Sequence, residues 1–216
     1  TSGNSGTTPA SLPLGETAAT VTATGSSSGP DSGTGSASAG ASLGYGTITT
    51  VADASQHTGF QGTNAIGLGV LFDTITFVLP NNVASAQVTL LASLDAAIAG
   101  SVGSYSVNET LNYGAGGFTW KSDTGGFGPT NNLYSGAFSN ESAAGFNWQD
   151  SFTVTNGQTL DIVLLSQANA TTGWAATSNA RLALILQDGA TYTSGSGVLF
   201  SQQAQVPLPR QGLLAR

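Results

Sequence analysis

The only histidine of this chain is His57, in the polar stretch Asp53-Ala54-Ser55-Gln56-His57-Thr58. A Ser-His-Asp triad could be built only around that residue. Its surroundings read more simply as an exposed loop histidine. A zinc site needs three or four His, Cys or carboxylate ligands, and one His without Cys argues against it. Carboxylate pairs can hydrolyse glycosides. The candidates are Asp73, Asp95, Glu109, Asp123, Glu141, Asp150, Asp161 and Asp188, spread singly along the chain. That spacing suits solvent-facing strand and turn residues. Calcium wants several oxygen ligands close together, and there is no Asp-x-Asp-x-Asp loop. Only a calcium site gathered from distant loops would remain. These residues predict no catalytic centre, no metal centre and no cofactor.

Aromatic faces offer a second chemistry, the stacking of sugar rings. Trp120, Trp148 and Trp174 lie in Gly- and Asn-rich surroundings near Phe118, Phe127, Tyr134, Phe138 and Phe146. The three tryptophans are candidate glycan contacts. The competing reading is that the rings supply bulk to a core short of large residues, and it is preferred. Three sequons occur, at Asn108, Asn140 and Asn169. The motif is short and arises often by chance.

Composition narrows the partners. Only 7% of residues are charged, against roughly 25% in an ordinary soluble domain. The net charge is −7, with four basic residues, Lys121, Arg181, Arg210 and Arg216. Nucleic acid needs several Lys or Arg against phosphate, so it is excluded as a partner. An anionic membrane surface is disfavoured for the same reason. No apolar run approaches the ~18 residues that span a bilayer; the longest candidate is Ile66 to Phe72. The absence of Cys removes disulfides, so stability must come from core, sheet or assembly. The chain opens on Thr1 and contains no Met, which suggests a removed leader and export.

The elements that would position these residues are strands. Residues 1–42 are Ser, Gly, Thr and Ala with scattered Pro, an N-terminal extension of linker composition. Leu12 and Leu14, then Ala19, Val21 and Ala23, give it short alternating apolar faces. They make it a candidate donor strand for a neighbouring subunit. Residues 43–203 carry a domain pattern, and residues 204–216 form a short tail. Period-two patterning predicts strands at 43–49, 71–79, 87–94, 101–113, 152–155, 159–166, 181–187 and 197–201. Asn156-Gly157 predicts a type I′ hairpin joining two of them, and Asp188-Gly189 is a further turn signal. The β-rich run Val88-Thr89-Leu90-Leu91 argues against a helix over 84–99. The expected fold is all-β, a sandwich or jelly roll of about 8–10 antiparallel strands with an extended N-terminal segment.

Three segments then resemble a known group. They are Asp150-Ser151-Phe152-Thr153-Val154 with Thr159-Leu160-Asp161-Ile162-Val163-Leu164, Ala175 to Ala180, and Leu184 to Gly197. Together with Ser36 to Gly46 they resemble bacterial exosortase-sorted proteins, the PEP-CTERM family. That group carries Val-Pro-Glu-Pro, a membrane-spanning run and a basic cluster at its sorting signal. Here the corresponding stretch is Val206-Pro207-Leu208-Pro209, with Arg210 next and no apolar span before Arg216. The signal is degenerate. The resemblance implies a secreted protein associated with extracellular polysaccharide or biofilm, and no reaction. The expectation is a structural protein of the bacterial surface or matrix, self-associating into a filament by strand addition. The alternative is a non-catalytic carbohydrate-binding module that takes exopolysaccharide.

Overall fold

Side chains of a strand point alternately to its two faces, and this chain alternates small or apolar residues with polar ones over long stretches. The computed structural model describes residues 19–28, 34–44, 46–54, 64–114, 116–130, 136–197 and 199. Thirteen strands and no helix occur among them. In chain order they are β1 (Ala19–Ser28), β2 (Thr34–Gly44), β3 (Thr47–Asp53), β4 (Asn64–Val78), β5 (Ser85–Gly100) and β6 (Tyr105–Tyr113). They continue as β7 (Gly116–Asp123), β8 (Gly126–Pro129), β9 (Ala137–Ser142), β10 (Gly145–Thr155), β11 (Thr159–Thr171), β12 (Trp174–Leu186) and β13 (Thr191–Ser194). The all-β sandwich is as expected. The count exceeds the 8–10 strands expected: the patterned segments omitted β7 to β9, β2 read as linker, and β1 was expected as a strand for a neighbouring subunit, not for its own sheet.

Two antiparallel sheets face each other. Sheet A has the order β1-β2-β3-β12-β5-β10-β9, and sheet B the order β13-β4-β11-β6-β7-β8. One long ribbon generates both. β3, β4, β5 and β6 form one arm, paired in turn with β12, β11, β10 and β7 of the other. Successive rungs fall in opposite sheets, and the pairs β12·β5 and β11·β6 knit each sheet together. This wrapped ribbon is a jelly roll. The boundary expected at Leu43 falls inside β2, because β1 and β2 form a hairpin that extends sheet A beyond β3.

The inner faces divide by size. Trp120, Trp148, Phe118 and Phe146 fill the part between β7 and β10, with ring centroids of Phe118 and Trp148 5.0 Å apart. Ala52, Ala65, Ala168, Ala170, Ala176 and Ala180 line the other part. There β2 and β3 bring Cα atoms within 8 Å of β4, closer than the ~10 Å usual between packed sheets. Gly67 and Gly69 face inward on β4 and allow that approach.

The hairpin expected at Asn156-Gly157 is not formed. β10 and β11 lie in different sheets, so the turn carries the chain from one to the other. A type I′ turn needs positive φ at both central residues. Here Gly157 has φ +77, while Asn156 is not among the positive-φ residues. Those signs match a type II turn. The side chain of Asn156 is used instead to bind sheet B: its Oδ1 accepts from the Leu79 amide at 3.0 Å. The Gly157 amide donates to the Phe77 carbonyl at 2.9 Å. At Asp188-Gly189 both φ values are positive, 57 and 74, yet that turn also crosses between sheets, from β12 to β13.

Of the last expected strand, 197–201, only Gly197 and Leu199 are among the described residues; the strand described before it is β13, and residues 195–197 bend. The cause is Asp73, buried on β4. Its carboxylate accepts from the Ser194 hydroxyl, from the Ser196 amide at 2.9 Å and from the Leu199 amide at 3.3 Å. Leu199 is thereby tucked into the core, and the Tyr192 hydroxyl donates to its carbonyl. Replacing Asp73 with Ala strands these donors, so it should destabilise the fold by roughly 3 kcal/mol. Urea unfolding reads this directly, and Asp73→Asn, which keeps an acceptor oxygen, should lose less.

Candidate functional site

The carboxylates singled out from the sequence are spread over both sheets. Across every described strand pair, none of them stands opposite another. Asp73, Asp150 and Asp161 fasten separate strands, and Asp123 holds its own turn. Asp161 accepts from the Thr74 hydroxyl at 2.7 Å, and Asp150 accepts from the Tyr113 hydroxyl. Asp123 pairs with Lys121 and accepts from the Gly125 amide at 2.7 Å. The Lys121 hydrogen bond, then that amide, hold the Asp123 carboxyl below its usual range. No group of three or more His, Cys, Asp or Glu that could hold a metal occurs among the described residues. His57 lies outside them.

Glu109 is the exception, because it points into the core and is buried. It stands between Ser166 of β11 and Trp120 of β7. Neither carboxyl oxygen has a hydrogen-bond partner in normal geometry, and the Trp120 indole N–H is also unpartnered. The Ser166 hydroxyl is engaged 2.8 Å from Ser178, which in turn meets Thr50 at 2.6 Å. Burial pushes the Glu109 carboxyl well above the ordinary carboxylate range, and Ser166 offsets only part of that. Burial therefore favours the protonated form of this acid, which is sealed from solvent.

The tryptophans divide. Trp120 and Trp148 are 0% and 2% exposed, so neither offers a ring face to a sugar. For these two the glycan-contact reading is corrected: they are core. Their size is what fills the wide part of the sandwich. Trp174 is half-buried and tilts against Tyr105, with ring centroids 4.9 Å apart. Of the sequon asparagines, Asn169 donates to the Ser106 hydroxyl at 2.8 Å on the outer face of sheet B, and Asn108 neighbours the same hydroxyl at 3.4 Å. Among the donor-strand candidates, Ala19, Val21 and Ala23 lie in β1, opposite Leu43, Ala41 and Ala39 of the same chain. Leu12 and Leu14 lie outside the described residues.

What the structure assembles instead is a surface on β4. Its outward side chains Ile66, Leu68, Val70 and Phe72 are 52%, 52%, 44% and 57% exposed. Val163 and Leu165 of β11 continue the apolar patch on the same face. Beyond them lie Gln167, Asn169, Asn108 and Ser106, a hydrogen-bonded polar field. On its other side β4 is paired only over 75–78, by β13. Among the described residues no strand pairs that side from Asn64 to Phe72. The Gly195 amide donates to the Thr74 carbonyl, while Phe77 bonds towards the β11 side. By strand alternation, the amides and carbonyls of Asn64, Ile66, Leu68, Val70 and Phe72 therefore face the unpaired side.

Sequence reasoning missed this surface by starting the strand at Leu71. The signal was present in Ile66-Gly67-Leu68-Gly69-Val70-Leu71-Phe72. Glycines on the inward positions leave the bulky apolar residues to point outward.

No protein-family model and no curated protein matches this chain. No helix among the described residues is long and apolar enough to cross a membrane.

Proposed function

We propose that this is a secreted, non-catalytic structural protein of the bacterial cell surface or extracellular matrix. Its subunits join by β-strand addition into a filament. The observation that carries this reading is the employment of the acidic side chains. Asp73, Asp150 and Asp161 each fasten one segment to another, Asp123 holds its own turn, and Glu109 is shut inside the core. A hydrolytic site would instead hold two carboxyls across a cleft at about 5–10 Å. The resemblance to exosortase-sorted proteins supports export and a place in biofilm matrix. The uncharged surface of β4 supports self-association.

Negative-stain images of the native extracellular material should contain fibres that antibodies to this chain decorate. A glycan array probed with the purified protein should stay blank. Material without fibres, together with saturable binding to one polysaccharide, would move the assignment to a carbohydrate-binding module.

A further inference from the structure

We propose that the unpaired side of β4 is a homotypic junction, where β4 of a second copy pairs antiparallel to it. The inference rests on the self-association read above and names the surface that carries it.

Four observations converge on a second copy as the occupant. First, exposed edge strands are normally blunted by Lys, Pro or a bulge. From Asn64 to Phe72 there is neither a charged residue nor a proline. In a protein of net charge −7, two copies meet with least repulsion on such a surface. Second, the edge already accepts a strand, since β13 occupies it from Ile75 to Val78. The Asp73 carboxylate then turns the chain away through Ser196 and Leu199, and among the described residues nothing pairs the rest of the edge. Third, the exposure of the stripe is a consequence of its edge position. Val163 and Leu165 present equally apolar side chains on the same face, but with a strand on each side they are half-buried. A strand added to β4 would bring Ile66, Leu68, Val70 and Phe72 to the same state. Fourth, the segment is self-complementary. A two-fold axis at Gly69 sets Leu68 opposite Val70 of the second copy and Ile66 opposite its Phe72. Such aliphatic and aromatic cross-strand pairs stabilise antiparallel sheets. The main-chain groups of these same residues point at each other across that axis.

The two copies then share one continuous sheet through sheet B. A two-fold contact closes on itself, so filament growth would use another edge, such as β1 or β9.

The test is sedimentation equilibrium of the full chain over a range of concentrations, with hydrogen exchange on the same samples. The wild type should be dimeric at high concentration, with β4 amides protected there and exchanging freely on dilution. Leu68→Lys with Val70→Lys alters only exposed side chains, so the fold should persist while the association constant drops by a hundredfold or more. The chain lacks Cys, so an equimolar mixture of Leu68→Cys and Val70→Cys proteins should oxidise to a covalent heterodimer faster than either alone. A wild type that is monomeric at every concentration overturns the proposal. So does a monomer whose β4 amides are already protected, since its own chain then covers the edge. A dimer unmoved by the two lysines overturns it as well. Loss of the filament reading is separable: a dimer that obeys these tests but builds no fibres leaves the junction standing.

Discussion

The Glu109→Gln variant gains stability over the wild-type chain as pH rises above about 4.5, at up to about 1.4 kcal/mol per pH unit. The sign follows from where the proton sits. In the unfolded chain Glu109 ionises near its ordinary value of 4.5, whereas burial raises its pKa in the folded chain. Above that value the unfolded state is favoured by ionisation and the folded state is not. The acid's contribution to stability is thus intact below pH about 4.5 and declines as pH rises, until the folded carboxyl itself ionises. Glutamine has nearly the same shape and never ionises, so it removes the decline. Chemical denaturation of both proteins across the pH range isolates the effect, because every other titrating group is shared. Parallel curves would mean that Glu109 is hydrated and ionised inside the fold.

Truncating either buried tryptophan should come close to unfolding the protein. Trp148→Ala and Trp120→Ala each remove a ring that is 2% or less exposed, at a cost of about 3–5 kcal/mol. Whole domains are stable by only about 5–15 kcal/mol. The surroundings cannot collapse into either space. Phe118 lies 5.0 Å from Trp148 and Phe146 lies 5.0 Å from Trp120, centroid to centroid, each already held by further rings. Trp174→Ala, at a half-buried position against Tyr105, should lose clearly less. Thermal melts of the three variants measure the order. Equal losses would contradict the placement of Trp120 and Trp148 at the centre of the wide part of the core.

The sheets were legible in the sequence wherever β-branched and aromatic residues alternate with polar ones, as in β4 beyond Leu71, β5 and β11. The alternation of Ala19, Val21 and Ala23 was legible as a strand, but it was expected on a neighbouring subunit, and β2 read as linker; instead β1 pairs β2 of its own chain. The turn at Asn156-Gly157 shows a different limit. Its composition allowed a tight hairpin, but the partners of β10 and β11 are set by long-range pairing with β5 and β4. Local turn chemistry has no knowledge of those partners. For the site, the tryptophans and carboxylates were visible as types. Their burial depends on which strand faces inward at each position, and β4 became a candidate surface only once its unpaired side was known.

The wrapped ribbon also orders events in time. Its rungs differ greatly in the chain length each must close. Thr110 meets Thr119 across 9 residues, Thr89 meets Ser151 across 62, Thr74 meets Asp161 across 87, and Thr49 meets Asn179 across 130. Closing a loop costs more entropy the longer it is, but each rung already formed shortens the loop that remains for the next. The inexpensive route therefore zips outward from the β6–β7 turn, with β3 and β12 meeting last. A topology this rich in distant contacts folds on the millisecond-to-second scale typical of β-sandwiches. Until the third of these rungs closes, β4 waits for β11 with both of its sides bare.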